Sequence, residues 1–279
     1  MRKRSRDLDL ICRGWDYSPY DVTVRVIKGL NGKKKIQMRL DLGVLQIEIN
    51  GRPDGKRPHG KESWLEHYQG LLDAHLNKFS QDKDFFLTDE DCGKLLLEAI
   101  QYYYRYISLY KLGKYDLVIR DTERNLKVYD LVSKYAENDE DVWSFEQSLP
   151  YLIMMNTKAK GKIELKNKNY NAAVEIVRVG IKRLKKLYYA DEKMDDDEMT
   201  DVSAQQEQEE DAAQEDSDGP YSLELESLES WLNSIQQRKP ITQKEKLERE
   251  MKIAIAHQNY ERAALLRDHL SKIKNKTKT

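Results

Sequence analysis

Apolar and polar residues alternate in three short runs between positions 21 and 50: Val22, Val24 and Val26, then Ile36, Met38 and Leu40, then Leu45, Ile47 and Ile49. Alternation sends successive side chains to opposite faces of an extended chain, so these runs predict a β-meander. Asn31-Gly32 supplies a hairpin turn after the first run, and Gly43 separates the second from the third. A small sheet with one apolar face needs a cover. The helical stripe Trp64, Leu65, Tyr68, Leu71, Leu72, Leu76 and Phe79 is the expected one. From Thr88 onward the period is helical. Thr88 before Asp89-Glu90-Asp91 reads as a capped start with acids in the first turn. That helix carries Leu95, Leu96, Ile100, Tyr103, Tyr104, Ile107 and Leu109 to a turn at Leu112-Gly113-Lys114-Tyr115. A second helix turns Leu117, Val118, Leu126, Tyr129 and Val132 inward, and Asp139–Leu149, with Trp143 and Phe145, adds another. Gly161 through Asn169-Tyr170-Asn171-Ala172-Ala173-Val174 repeats the helix–turn–helix pattern. Leu225, Leu228, Trp231, Leu232 and Ile235 then form an amphipathic helix closed by Pro240.

The last pattern lies between Leu247 and Lys274. Leu247, Met251, Ala254 and Ile255 share one side of a helix, and after the polar break His257-Gln258-Asn259 a second stripe runs Ala263, Leu266, Leu270, Ile273. Asn259 can take the left-handed conformation that ends a helix, which predicts a helical hairpin. Each helix is close to the ~12–15 residues below which isolated helices are marginal, so the hairpin needs another surface.

The run Met251…Ala254…Asn259-Tyr260-Glu261-Arg262-Ala263-Ala264-Leu265-Leu266-Arg267-Asp268…Leu270…Ile273 resembles the UVR motif. That hairpin is shared by the UvrB and UvrC nucleotide-excision-repair subunits, some Clp chaperone ATPases and the activator of protein arginine kinase. The resemblance implies docking to another copy of the motif or to a partner's helical surface, and no particular pathway. The helical middle resembles tetratricopeptide repeats through Leu112-Gly113-Lys114-Tyr115-Asp116, Leu126, Gly161, Tyr170, Ala173 and Gly180. It departs from them at Tyr106, Val118 and Asn125, and Tyr115 lies much farther from Tyr170 than the repeat period of ~34 residues.

Composition adds the organisation. Hydrophobic residues make up 39% and charged residues 35%, against the usual ~45–50% and ~25%, so part of the chain is too polar to build a core. That part is Asp191–Asp218, acidic, rich in Gln and Ala and nearly without aliphatic residues, and it reads as a disordered linker. A net charge of −1 conceals a basic N-terminus, this acidic stretch and a basic tail. The expected fold class is α+β, mainly α. A β-meander with its covering helix (1–80) precedes a repeat-like helical bundle (81–190), an acidic linker (191–220) and C-terminal helices (221–279) with the hairpin at about 243–274. Cys12 and Cys92 form no CxxC or zinc spacing and read as free thiols of a reducing compartment. No apolar run suits a signal peptide or a membrane span, so the expected location is cytoplasmic, without membrane contact.

Chemistry is sparse. Of His59, His67, His75, His257 and His269, His75 falls on the apolar stripe of its helix, where a hydrogen-bonded core histidine is the plain reading, and His67 lies off that stripe. No HExxH, GxSxG, Cys–His pair or phosphate loop occurs, so neither metal nor cofactor nor catalysis is expected. Gly51-Arg52-Pro53-Asp54-Gly55-Lys56-Arg57-Pro58-His59-Gly60 could hold an anion, though turn chemistry after a strand explains it as well. The tyrosines Tyr102, Tyr103, Tyr104, Tyr106 and Tyr110 suit either a core or a peptide groove. The hairpin is net basic, but Glu245, Glu248, Glu250, Glu261 and Asp268 interrupt its cations and Tyr260 is its sole aromatic, which weakens a nucleic-acid reading. The sequence therefore predicts a non-enzymatic adaptor. Its contact set is Leu247, Met251, Ile255, Tyr260, Ala263, Leu266, Leu270 and Ile273, with Arg267 and Asp268 fixing orientation. The partner would present a helical or UVR-like surface, a second copy included. An accessory factor of nucleotide excision repair that also contacts DNA is the alternative.

Overall fold

The computed structural model describes residues 7–188, 222–240 and 243–276. The stretch expected to be a disordered linker falls within 189–221, outside the described residues. The chain divides into two compact units, Met1–Leu232 and Asn233–Thr279.

In the first unit a short helix α1 (Asp9–Cys12) precedes strands β1 (Val24–Lys28), β2 (Lys34–Leu40) and β3 (Gly43–Glu48), which form an antiparallel sheet in that order. The alternation fixes the register: Val24 faces Met38, Val26 faces Ile36, and Ile36 and Met38 face Ile47 and Leu45. At the first turn Gly32 takes a φ of 76° and the Asn31 side chain accepts from the Lys33 amide. Ile36, Met38 and Ile47 are buried.

The cover is a different helix from the expected one. Strand β2 lies against α3 (Asp89–Lys111), while α2 (Trp64–Phe79) packs on α3 and against the turn Pro58–Gly60. The reason lies in what α2 is tied to. The Trp64 amide donates to buried Glu98, and the Tyr68 hydroxyl donates to Asp91 at 2.6 Å. Leu65 and Tyr68 thereby join a cluster with Leu87, Cys92, Leu95, Val128, Leu131, Val132 and Phe145, whereas Leu71, Leu76 and Phe79 of the expected stripe stay exposed.

Helix α3 starts at Thr88, the cap expected from the sequence, and the Asp91 side chain completes a capping box with it. It packs on α4 (Tyr115–Tyr135); α4 packs on α6 (Leu149–Lys166), and α6 on α7 (Tyr170–Tyr188), with α5 (Asp139–Glu146) set between α4 and α6. Of the tyrosine cluster, Tyr102 and Tyr106 are buried and Tyr103 is at the surface. The first part of α8 (Ser222–Arg238) belongs to this unit, and its last residues belong to the second. The second unit continues with α9 (Gln243–Ala256) and α10 (Tyr260–Lys276).

Candidate functional site

The glycine–arginine loop is held from beneath by buried ions. Arg105 of α3 and Asp121 of α4, 1% and 0% exposed at their side chains, form a two-pronged pair at 2.7 and 2.8 Å. A third prong of Arg105 donates to the carbonyl oxygens of Glu48 and Gly51, and Arg120 donates to the Ile49 carbonyl and the Asn50 side chain. Glu98, fully buried, faces Arg52 at 3.0 Å and also pairs with Arg124. Burial, then the neighbouring Arg52 charge, pushes the Arg124 guanidinium down to about 9, so it remains charged at neutral pH. A buried carboxylate needs such pairing, because ions removed from water are costly unless satisfied. Arg52 is therefore committed to the fold, while Lys56, Arg57 and His59 are exposed on the loop.

Two of the side chains with reactive potential, Cys92 and His75, are likewise engaged by their surroundings. Burial, then Asp141 and Asp91, pushes the Cys92 thiol up to about 12, far from the thiolate a nucleophile needs. His75 is half-buried between Phe79 and Phe85, with Nε2 3.0 Å from the Lys83 carbonyl oxygen. Among the described residues no group of three or more His, Cys, Asp or Glu could hold a metal ion, and no helix is long and apolar enough to cross a membrane.

The C-terminal hairpin presents a different surface. Its turn is built one residue earlier than expected. Gln258, at φ 56°, is the left-handed residue, and Asn259 instead caps α10 by accepting from the Arg262 amide. The Asn259 amide reaches back to the Ala254 carbonyl, which satisfies an orphan acceptor at the end of α9. Ala254, Ala263 and Leu266 form the hairpin's own cluster, with Leu247 and Met251 packed against it. Leu270 is buried as well, and the Ile273 side chain lies outside the described residues.

The expected contact set thus separates. Leu247, Met251, Ala263 and Leu266 face one another inside the hairpin, whereas Ile255 and Tyr260 are exposed. Ile255 follows Ala254, and one residue is a 100° step around a helix, enough to leave the seam. Ile253 and Leu265, absent from that set, are exposed at 58% and 67%. Their signal was present in the sequence as apolar residues off the heptad stripe. Arg267 and Asp268 pair with each other at 3.1 Å on the surface.

Residues 242–276 match the UvrB/uvrC motif, which covers both helices of this hairpin and its turn. The chain therefore carries a UVR motif over these residues, after a mainly helical body in the sequence. No curated protein and no solved structure matches the chain.

Proposed function

We propose that this protein is a non-enzymatic adaptor that docks a helical protein partner through its UVR hairpin. One observation carries the reading: Ile253, Ile255, Tyr260 and Leu265 stand in solvent around a hairpin whose seam residues already meet each other. Exposed aliphatic and aromatic side chains on a pair of helices are among the anchor types that dominate protein interfaces. The exposed charges between them, Arg249, Arg262, Arg267, Glu261 and Asp268, would select a partner's orientation. The partner is a helical surface or a second UVR hairpin, including that of another copy of the chain, and the expected setting is the cytoplasm.

A second reading draws on the exposed cations Lys246, Arg249, Lys252, Arg262 and Arg267 and on the motif's occurrence in repair proteins. In it the protein is a repair accessory that also contacts DNA. The two separate experimentally. Full-length protein carrying Leu265→Asp and Tyr260→Ala keeps its melting transition and loses the protein that the unaltered chain captures by crosslinking in cells; equal recovery by both would overturn the adaptor reading. Binding to single-stranded or junction DNA that weakens steeply with salt, and persists in that variant, would favour the repair accessory.

A further inference from the structure

Residues 189–221 separate α7 from α8, and the acidic character of the stretch continues into α8 through Glu224, Glu226 and Glu229. The first part of α8 rests on α6 and α7 through a mixed apolar and ionic seat. Leu228 is fully buried, and the Trp231 ring lies over Gly161 of α6. A Cβ at position 161 would come within 2.6 Å of that ring, so only glycine admits it. Around these anchors the receiving helices are basic. Lys158 donates to the Ser227 hydroxyl at 2.7 Å, Lys162 stands over the Trp231 ring at 5.7 Å, and Lys185 of α7 pairs with Glu229 at 3.0 Å.

The fit includes uncompensated burial. One carboxylate oxygen of Glu224 is buried without a hydrogen-bond partner. Burial, reinforced by Lys162, lowers the pKa of Lys158. Groups of this kind weaken a contact unless fully paired. The hairpins α3–α4 and α6–α7 are joined by tight turns at Leu112–Lys114 and Asn167–Asn169, whereas residues 189–221 lie between α7 and α8.

We propose that the α6–α7 face is a recognition groove for an acidic amphipathic helix, and that α8 is its built-in, exchangeable occupant. The partner it fits carries a leucine and a tryptophan three residues apart, a hydroxyl just before the leucine, and carboxylates at the flanks. This site is separate from the UVR hairpin and does not depend on the docking reading given above. A tethered occupant competes at an effective concentration on the order of millimolar, so the groove is closed to weak ligands until α8 leaves.

The test uses the full chain and a dye-labelled synthetic peptide of residues 222–239. Leu228→Asp in the chain vacates the groove without altering its walls. The peptide is expected to bind this variant on the order of a hundredfold more tightly than it binds the unaltered chain, where α8 competes. Adding Gly161→Val to the same variant, or Trp231→Ala to the peptide, should abolish the binding. Three outcomes overturn the proposal: no binding to a Leu228→Asp chain that still melts cooperatively, equal binding to both chains, or loss of the body's melting transition in Leu228→Asp. The last would make α8 an integral part of the body rather than its ligand.

Discussion

The hairpins α6–α7 and α9–α10 are closed by the same turn. Lys168 and Gln258 take φ values of 61° and 56°, and the amides of Asn169 and Asn259 reach back five residues to the carbonyls of Glu164 and Ala254. The sequences after the turn also agree, Asn169-Tyr170-Asn171-Ala172-Ala173 against Asn259-Tyr260-Glu261-Arg262-Ala263. Their surroundings do not. In α7, Ala173, Val177, Gly180, Ile181 and Leu184 are buried against a helix that is itself buried almost all round at its start, from Leu149 to Thr157. Among the described side chains of α9 and α10, Ala254, Ala263, Leu266 and Leu270 are buried, while Ile253, Ile255, Tyr260 and Leu265 are exposed. The turn chemistry specifies a pair of helices, and the layers around the pair decide how much apolar surface remains. The same turn thus closes a hairpin buried within the helical body and a hairpin whose Ile253, Ile255, Tyr260 and Leu265 are exposed.

The largest break in this comparison comes from the ions. The body holds Arg105–Asp121 dry, whereas the hairpin's Arg267–Asp268 pair is wet. Asp121→Ala leaves Arg105 buried without its partner and is expected to cost about 3–5 kcal/mol. Asp268→Ala should change stability by at most about 1 kcal/mol. Urea unfolding of the two variants measures the difference, and similar midpoints would mean that Arg105 finds another acceptor.

Matched leucines give the next effect. Leu184 of α7 and Leu266 of α10 are both buried, and truncation of each to alanine removes about 2–4 kcal/mol of packing. In α7 that loss should lower the melting point of the whole body. In α10 it should erase hydrogen-exchange protection over 243–276 and leave the body unaffected, because a short hairpin has little stability to lose. Protection that survives Leu266→Ala would mean that the hairpin is held by more than its own seam.

Turn substitutions are smaller. Gly113 closes the α3–α4 hairpin at φ 66°, where a side chain is strained, so Gly113→Ala should cost about 1 kcal/mol. Gln258→Gly relieves the same strain in the UVR hairpin and should gain roughly 0.5–1 kcal/mol there, read as slower amide exchange in α9 and α10. Opposite signs at the two turns would confirm that one geometry serves both.

These cases also mark how far the sequence could be read. Strand alternation and the Thr88 cap are local, and both element types and the sheet register follow from them. The hairpin was legible because its stripe and turn lie within a few residues, although a one-residue offset exchanged the roles of Asn259 and Gln258 and moved Ile255 off the seam. What joins distant residues was not legible. Nothing near Arg105 announces that it will bond the Glu48 and Gly51 carbonyls, and the only hint is a charge between Tyr102 and Tyr106 on a buried face. The choice of α3 over α2 as the sheet's cover depends on these same long-range ties.

The smallest expected effect is a pH dependence confined to the body. His67 stacks on His59 at 4.3 Å with the rings 14° from parallel, and it also meets Trp64 and Tyr68. Burial, then the His59 charge, lowers the His67 pKa below 6.5, outweighing the attraction of Asp91; Lys61 and Lys94 act in the same lowering direction. A histidine that binds its proton less well when folded contributes stability above its unfolded value of about 6.5 and loses it as pH falls from there through the folded value. The body's urea midpoint, followed by tryptophan fluorescence, should therefore drop between pH 7.5 and pH 5.5. His67→Phe keeps a ring in the stack and removes the titration, so it should flatten that drop. An unchanged slope in the variant would assign the pH response to other groups and leave the His59–His67 stack a packing contact alone.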